Sequence, residues 1–197
     1  MEGGQREQGG SNLHSPPSLR RAVFLDRDGV LNRAILQDDG KTHPPASPGE
    51  LEILPGAGEA CAVLHQADFL LIVVTNQPDV ARGTQSREVV EAINEALREQ
   101  VHVDDIRVCY HDDQDNCLCR KPRPGLLLES ARDWKIDLIA SFMVGDRWKD
   151  IEAGRRAGCR TFFVDHELAD VGRSRPDFRV ASLFEAADWI LRQGVEL

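Results

Sequence analysis

The sequence predicts an α/β fold: a Rossmann-like parallel sheet with helices on both faces, a minimal cap and a zinc-stapled loop. Three observations predict it. Short apolar runs of β type alternate with segments of helical spacing along most of the chain. The run Phe69–Val74 is apolar at every position, as a strand covered on both faces must be. The residues with obvious chemical potential stand just after such runs, where open α/β sheets place their ligands.

The elements follow in order. Ala22–Leu25 is the first strand. Pro55–Gln66 is a helix, with Pro55 suited to its first turn. Phe69–Val74 is the second strand. Ser86–Gln100 is a helix, because Val89, Val90, Ile93 and Leu97 recur at helical spacing. Ile106–Cys109 is the third strand, Pro124–Trp134 a helix and Phe142–Val144 the fourth strand. Lys149–Ala157 is a helix stopped by Gly158. Thr161–Val164 is the fifth strand and Ser182–Arg192 the closing helix. Residues 33–52 form a polar insertion too short to be a lid domain. Residues 1–20, rich in Gly, Ser, Gln and Pro, are expected as a disordered tail before a single domain spanning 21–197.

The bulk numbers narrow the function. A net charge of −9 argues against a chain that coats nucleic acid. No apolar run reaches the ~18 residues that a membrane span needs, and no secretory leader is seen. Five cysteines, an odd number without a leader, read as reduced thiols. The expectation is a cytoplasmic monomer acting on a small molecule, with no nucleic-acid or membrane partner.

Four segments carry chemistry. After the first strand, Asp26-Arg27-Asp28-Gly29 sets two carboxylates two residues apart, one able to attack phosphorus and the other to handle the leaving-group proton. Thr75, Asn76 and Gln77 follow the second strand and offer neutral donors to phosphate oxygens. Lys121 stands in Cys119-Arg-Lys-Pro-Arg-Pro-Gly125 as a compact cation for a transferring phosphoryl group. Asp146 and Asp150, after the fourth strand, are one helical turn apart and suit hard Mg²⁺. A fifth constellation is Cys109, His111, Cys117 and Cys119. Three thiolates and an imidazole within eleven residues match a closed structural zinc site. The acidic residues between them, Asp112, Asp113 and Asp115, are expected to be solvated. Cys61 and Cys159, with Trp148 and Trp189, are read as packing residues. His14, His43, His65, His102 and His166 form no metal spacing, and there is no P-loop.

The order D-x-D-G, T-N, K, G-D-x-x-x-D resembles the haloacid dehalogenase (HAD) superfamily of phosphohydrolases from Ala22 to about Asp165. That resemblance implies Asp26 as nucleophile and Asp28 as general acid/base. Thr75 and Lys121 would stabilise the phosphoryl group, and Asp26, Asp146 and the backbone carbonyl of Asp28 would hold Mg²⁺, with Asp150 in support. The motifs D-R-D-G-V-L-N, A-R-G, C-R-K-P-x-P-G and the zinc array are similar to those of the heptose-bisphosphate phosphatases, whose close relatives are the histidinol-phosphate phosphatases. This implies a sugar-phosphate substrate touching Asn76, Gln77, Pro78 and Arg120. Histidinol phosphate, a 3′-phosphorylated DNA end and a non-catalytic zinc module are the alternatives. The chain departs from the narrower pattern at Pro78-Asp79, where Ser-Gly is usual. Asp79 is expected to penalise a second phosphate modestly, unless Arg82 or Arg123 neutralises it.

Overall fold

The computed structural model describes residues 19–36, 40 and 42–193. The expected tail lies outside them except for Leu19 and Arg20. Arg20 is already tied in, because its N–H donates to Lys135 O at 2.9 Å and its carbonyl accepts from Asp137 N at 2.8 Å.

The described residues form eight strands and five α-helices. They are β1 (Ala22–Leu25), β2 (Ile35–Leu36), β3 (Thr42–His43), α1 (Ala57–Gln66), β4 (Leu70–Asn76), α2 (Arg87–Gln100) and β5 (Asp105–Cys109), followed by α3 (Gly125–Trp134), β6 (Phe142–Gly145), α4 (Trp148–Ala157), β7 (Arg160–Val164), β8 (Phe178–Val180) and α5 (Leu183–Gln193). Six strands form one parallel sheet in the order β5-β4-β1-β6-β7-β8. The order reverses at β1, which runs between β4 and β6. The crevice that forms where two neighbouring strands send their connections to opposite faces therefore opens beyond Leu25.

Why the strand runs are apolar throughout is visible in the packing. Val23 and Leu25 of β1 face one core with α1 and α5, while Ala22 and Phe24 face another with α3 and α4. Leu71 and Val73 of β4 join the first core, and Leu70, Ile72 and Val74 the second. A strand pressed between two helical layers has no wet side. Truncating one of these residues, such as Phe24, would cost about 3–5 kcal/mol.

Two elements differ from expectation. β8 is absent from the sequence reading, because a three-residue edge strand, Phe-Arg-Val, is too short to show a period. The 33–52 insertion is not featureless: β2 and β3 pair as an antiparallel hairpin, and Arg33 and Glu52 form an ion pair at 2.8 Å across its base. Hairpin residues reach over the carboxyl ends of the sheet, which bears on the site.

Candidate active site

An open cleft of about 760 Å³ lies beyond the carboxyl ends of β1, β4 and β6. Asp26 is the first residue past β1, and its N–H still donates to Val144 O of β6 at 3.0 Å. The chain then turns sharply. Gly29 has φ +90°, and a Cβ there would run into the Asp146 carboxylate. Glycine is required here both for the turn and for the approach of the β6 loop.

Three carboxylates converge on the floor: Asp26, Asp146 and Asp150 offer oxygens within 4.8 Å of one another. Lys121 lies among them, with Nζ 2.9 Å from Asp26 Oδ1 and 2.6 Å from Asp150 Oδ1, and it donates to Val74 O at 2.7 Å. Its side chain is only 2% exposed. Burial alone would depress the ammonium, but the charges of Asp150 and Asp26 outweigh it and hold Lys121 above its usual value. One cation does not balance three acids. Burial, and then the Asp150 charge, push Asp26 up to about 7, and burial raises Asp146 and Asp150 as well. His166 Nε2 and Arg147 Nε each come within 3.3 Å of Asp146 Oδ2. Neither is in line for a hydrogen bond, so both Asp146 oxygens are buried without a donor. Crowded acids with orphaned oxygens fit a hard divalent cation, which takes carboxylate ligands and keeps waters.

The remaining sequence-derived residues are also brought together. Thr75 Oγ1 accepts from Gln77 Nε2 at 2.9 Å, and the same amide donates to Asp28 Oδ2 at 2.9 Å. Asn76 clasps the Lys121 main chain, donating to its carbonyl and accepting from its N–H, both at 3.1 Å. Arg120 donates to Asp113 Oδ1 at 2.8 Å and to His111 O at 3.2 Å. Pro78 and Arg120 line the cleft beside Asp28 and Thr75.

The zinc-type array is formed. Cys119 Sγ lies 3.3 Å from Cys109 Sγ, 3.4 Å from Cys117 Sγ and 3.4 Å from His111 Nδ1. Cys109 Sγ lies 3.7 Å from Cys117 Sγ and 3.6 Å from His111 Nδ1. A tetrahedron with Zn–S near 2.3 Å and Zn–N near 2.0 Å sets its ligands roughly 3.5–3.8 Å apart, so the four atoms fit zinc with little adjustment.

Several expectations need correction. Asp113 and Asp115 are exposed, as expected, and Asp112 is half-buried, but all three also take part in hydrogen bonds. Asp112 takes two hydrogen bonds from Arg82, at 2.8 and 2.9 Å; Asp113 holds Arg120; Asp115 accepts from Asp112 N at 2.7 Å. For Asp79 the alternative left open is the one found, since Arg82 reaches it at 3.4 Å. Trp148 is a wall of the cleft rather than core packing, and Lys149 and Arg147 stand beside it. Arg147 also hydrogen-bonds Thr42 Oγ1, joining the insertion hairpin to the site. The histidines are not all unrelated to metal-type groups: His166 adjoins Asp146, and exposed His65 and His102 lie beside Asp104 with ring centroids 3.8 Å apart and planes tilted by 43°, at the amino ends of β4 and β5. Sequence spacing could not reveal the meetings of Arg82 with Asp112 and of Arg147 with Thr42, which join residues 30 and 105 apart.

Comparison with known proteins agrees with this geometry. Residues 118–186 match the HAD-hydrolase-like family model. A Haemophilus ducreyi protein named D-glycero-beta-D-manno-heptose-1,7-bisphosphate 7-phosphatase is 36% identical over 186 residues, 87% of this chain and 98% of that one. The chain belongs to the heptose-1,7-bisphosphate 7-phosphatase family of HAD phosphatases. The Escherichia coli K12 member is 35% identical over 189 residues, 89% of this chain and 91% of its own. A crystal structure of the family from Bordetella bronchiseptica, complexed with magnesium and phosphate, superposes with a TM-score of 0.75 at 33% identity, covering 88% of this chain and 99% of that one. No helix among the described residues is long and apolar enough to cross a membrane.

Proposed function

We propose that this protein hydrolyses a sugar phosphate, D-glycero-D-manno-heptose 1,7-bisphosphate at its 7-phosphate, through an aspartyl-phosphate on Asp26. The observation that carries the reading is a carboxylate at the mouth of a parallel sheet, 2.9 Å from a buried lysine and within 4.8 Å of Asp146, with a second carboxylate two residues on. An Asp26 oxygen attacks phosphorus and the bond to the sugar oxygen breaks. Asp28 gives that oxygen its proton. Asp28 then takes a proton from a water that attacks the acyl phosphate, which releases phosphate and restores Asp26. Lys121 and Thr75 face the phosphoryl oxygens. Mg²⁺, held by Asp26, Asp146 and the carbonyl of Asp28 with Asp150 in support, would supply neutralisation of phosphoryl charge. Zn²⁺ on Cys109, His111, Cys117 and Cys119 is structural. The setting is cytoplasmic, the enzyme a monomer, and the domain begins near residue 21.

A phosphate-release screen over sugar mono- and bisphosphates, histidinol phosphate and 3′-phosphorylated DNA tests the reading. The heptose bisphosphate is expected to give the highest kcat/KM; preference for another of these would reassign the substrate.

The Pro78-Asp79 pair follows from the Arg82 contacts. Because Arg82 already answers Asp79, the Pro78→Ser, Asp79→Gly double variant should not gain efficiency. We expect kcat/KM for the bisphosphate to stay level or fall by up to about fivefold, the scale of one exposed ion pair. A several-fold gain would mean that Asp79 repels the second phosphate after all.

Metal removal gives a further expected result. Asp26 is raised to about 7 and Asp146 and Asp150 are raised as well, so on Asp26 alone the folded chain holds more protons than the unfolded one between the ordinary carboxyl value and about 7. Stability of the EDTA-treated protein therefore falls as pH rises through that window. Mg²⁺ at about 100 times its Kd adds about 2.7 kcal/mol, roughly 5–10 °C in Tm for a chain of this size, with more gained near pH 8 than near pH 5. A Tm indifferent to Mg²⁺ at both pH values would remove the cation from this cluster.

A further inference from the structure

Asp28 is gripped from three sides. Arg27 Nε lies 3.3 Å from both of its oxygens and Nη2 donates to Oδ2 at 3.0 Å. Asn32 Nδ2 donates to Oδ1 at 2.9 Å and Gln77 Nε2 to Oδ2 at 2.9 Å. The Arg27 side chain is wholly buried, which is costly for a guanidinium unless its donors are used. Its other arm is used: Nη1 donates at 2.9 Å to Oδ1 of Asn94, a 3% exposed residue on α2. The planar fork thus runs from a helix behind the sheet to a carboxylate at the cleft. Asn94 does not line the cleft.

On the phosphatase reading above, we infer that Arg27, held by Asn94, is a positioning residue that aims the Asp28 carboxyl at the leaving-group oxygen. Lys121 contacts Asp26 and Asp150 but not Asp28, and among the described ion pairs Arg27 is the cation that meets Asp28. A lysine could not replace the fork. Its single ammonium has no rigid geometry that faces an amide and a carboxylate at once. The bland alternative is that Arg27–Asp28 is an ordinary ion pair that merely helps the chain to fold.

Leaving-group dependence separates the two. A sugar oxygen needs the proton from Asp28 as its bond to phosphorus breaks, whereas p-nitrophenolate departs without one. Phosphoryl transfer to Asp26 is otherwise the same reaction, and kcat/KM reports steps only up to that departure. A general acid contributes about 10²–10⁴-fold, so losing its aim should cost part of that on one substrate only. We expect Arg27→Lys to lower kcat/KM roughly 30–100-fold on the best sugar phosphate and less than about threefold on p-nitrophenyl phosphate. Asn94→Ala, which is remote from the cleft and suited to a helix, should lower the sugar phosphate rate about tenfold with the same selectivity. An equal fall on both substrates, or no fall in Asn94→Ala, would overturn the positioning role. Wild-type protein that turns over neither substrate with Mg²⁺ present would instead sink the phosphatase reading itself, and this inference with it.

Discussion

Asp26→Asn is expected to lower kcat by about 10³-fold or more while leaving the fold intact. The two side chains have the same shape, so β1 and its turn lose no packing. What disappears is the negative oxygen that attacks phosphorus in the proposed mechanism. Lys121 keeps its contact with Asp150 Oδ1 at 2.6 Å and with Val74 O at 2.7 Å, so the lysine stays in place. The change also relieves the crowding that pushes the Asp26 carboxyl up to about 7. Tm measured in EDTA should therefore hold or rise near neutral pH, while the gain on adding Mg²⁺ should shrink. This pairing of outcomes matters, because a misfolded variant would lose both activity and Tm. Turnover within tenfold of wild type would remove Asp26 from the role of nucleophile.

Much of this site was legible in the sequence because each part follows a recognisable apolar run. Asp26 closes β1, Thr75 and Asn76 close β4, and Asp146 follows β6, so a parallel sheet delivers them to one end. The zinc array was legible for another reason: its four ligands lie within eleven residues, and no tertiary contact was needed to group them. What the sequence hid is pairing across distance. Arg27 reads as a charged residue in a turn, yet it is buried because Asn94 and Asp28 consume its donors. Asn94 sits among the apolar positions of α2, where a lone amide carries no message. Asp112 and Asp113 look like solvated acids until Arg82 and Arg120 meet them across the loop. β8 was missed because three residues beside an edge display no alternation.

Loss of one zinc ligand should have the second large effect. Cys117→Ser is expected to cut zinc content from about one per chain to a small fraction, lower Tm by roughly 10 °C and reduce kcat at least tenfold. The reason is the way the loop is built. Cys109 is buried at the end of β5, and burial pushes its thiol well above the ordinary range. Three sulfurs within 3.7 Å of one another cannot all ionise without a cation between them, so removing zinc returns protons to them and opens the cluster. The rest of the loop has little to replace it. Its other ties are polar: Arg82 to Asp112, Arg120 to Asp113, and Arg123 to the carbonyls of Asn116 and Cys117. Arg120 and Lys121 follow Cys119 directly, so a loosened Cys119 moves the cation that faces Asp26. Activity should fall through kcat rather than through substrate affinity alone, and EDTA strong enough to strip zinc should reproduce it in the wild-type protein, with Mg²⁺ returning only its own share of Tm and Zn²⁺ needed for the rest. Reduced protein that contains no zinc on metal analysis would refute the site. Zinc lost with kcat unchanged would instead confine it to a local staple that Lys121 does not need.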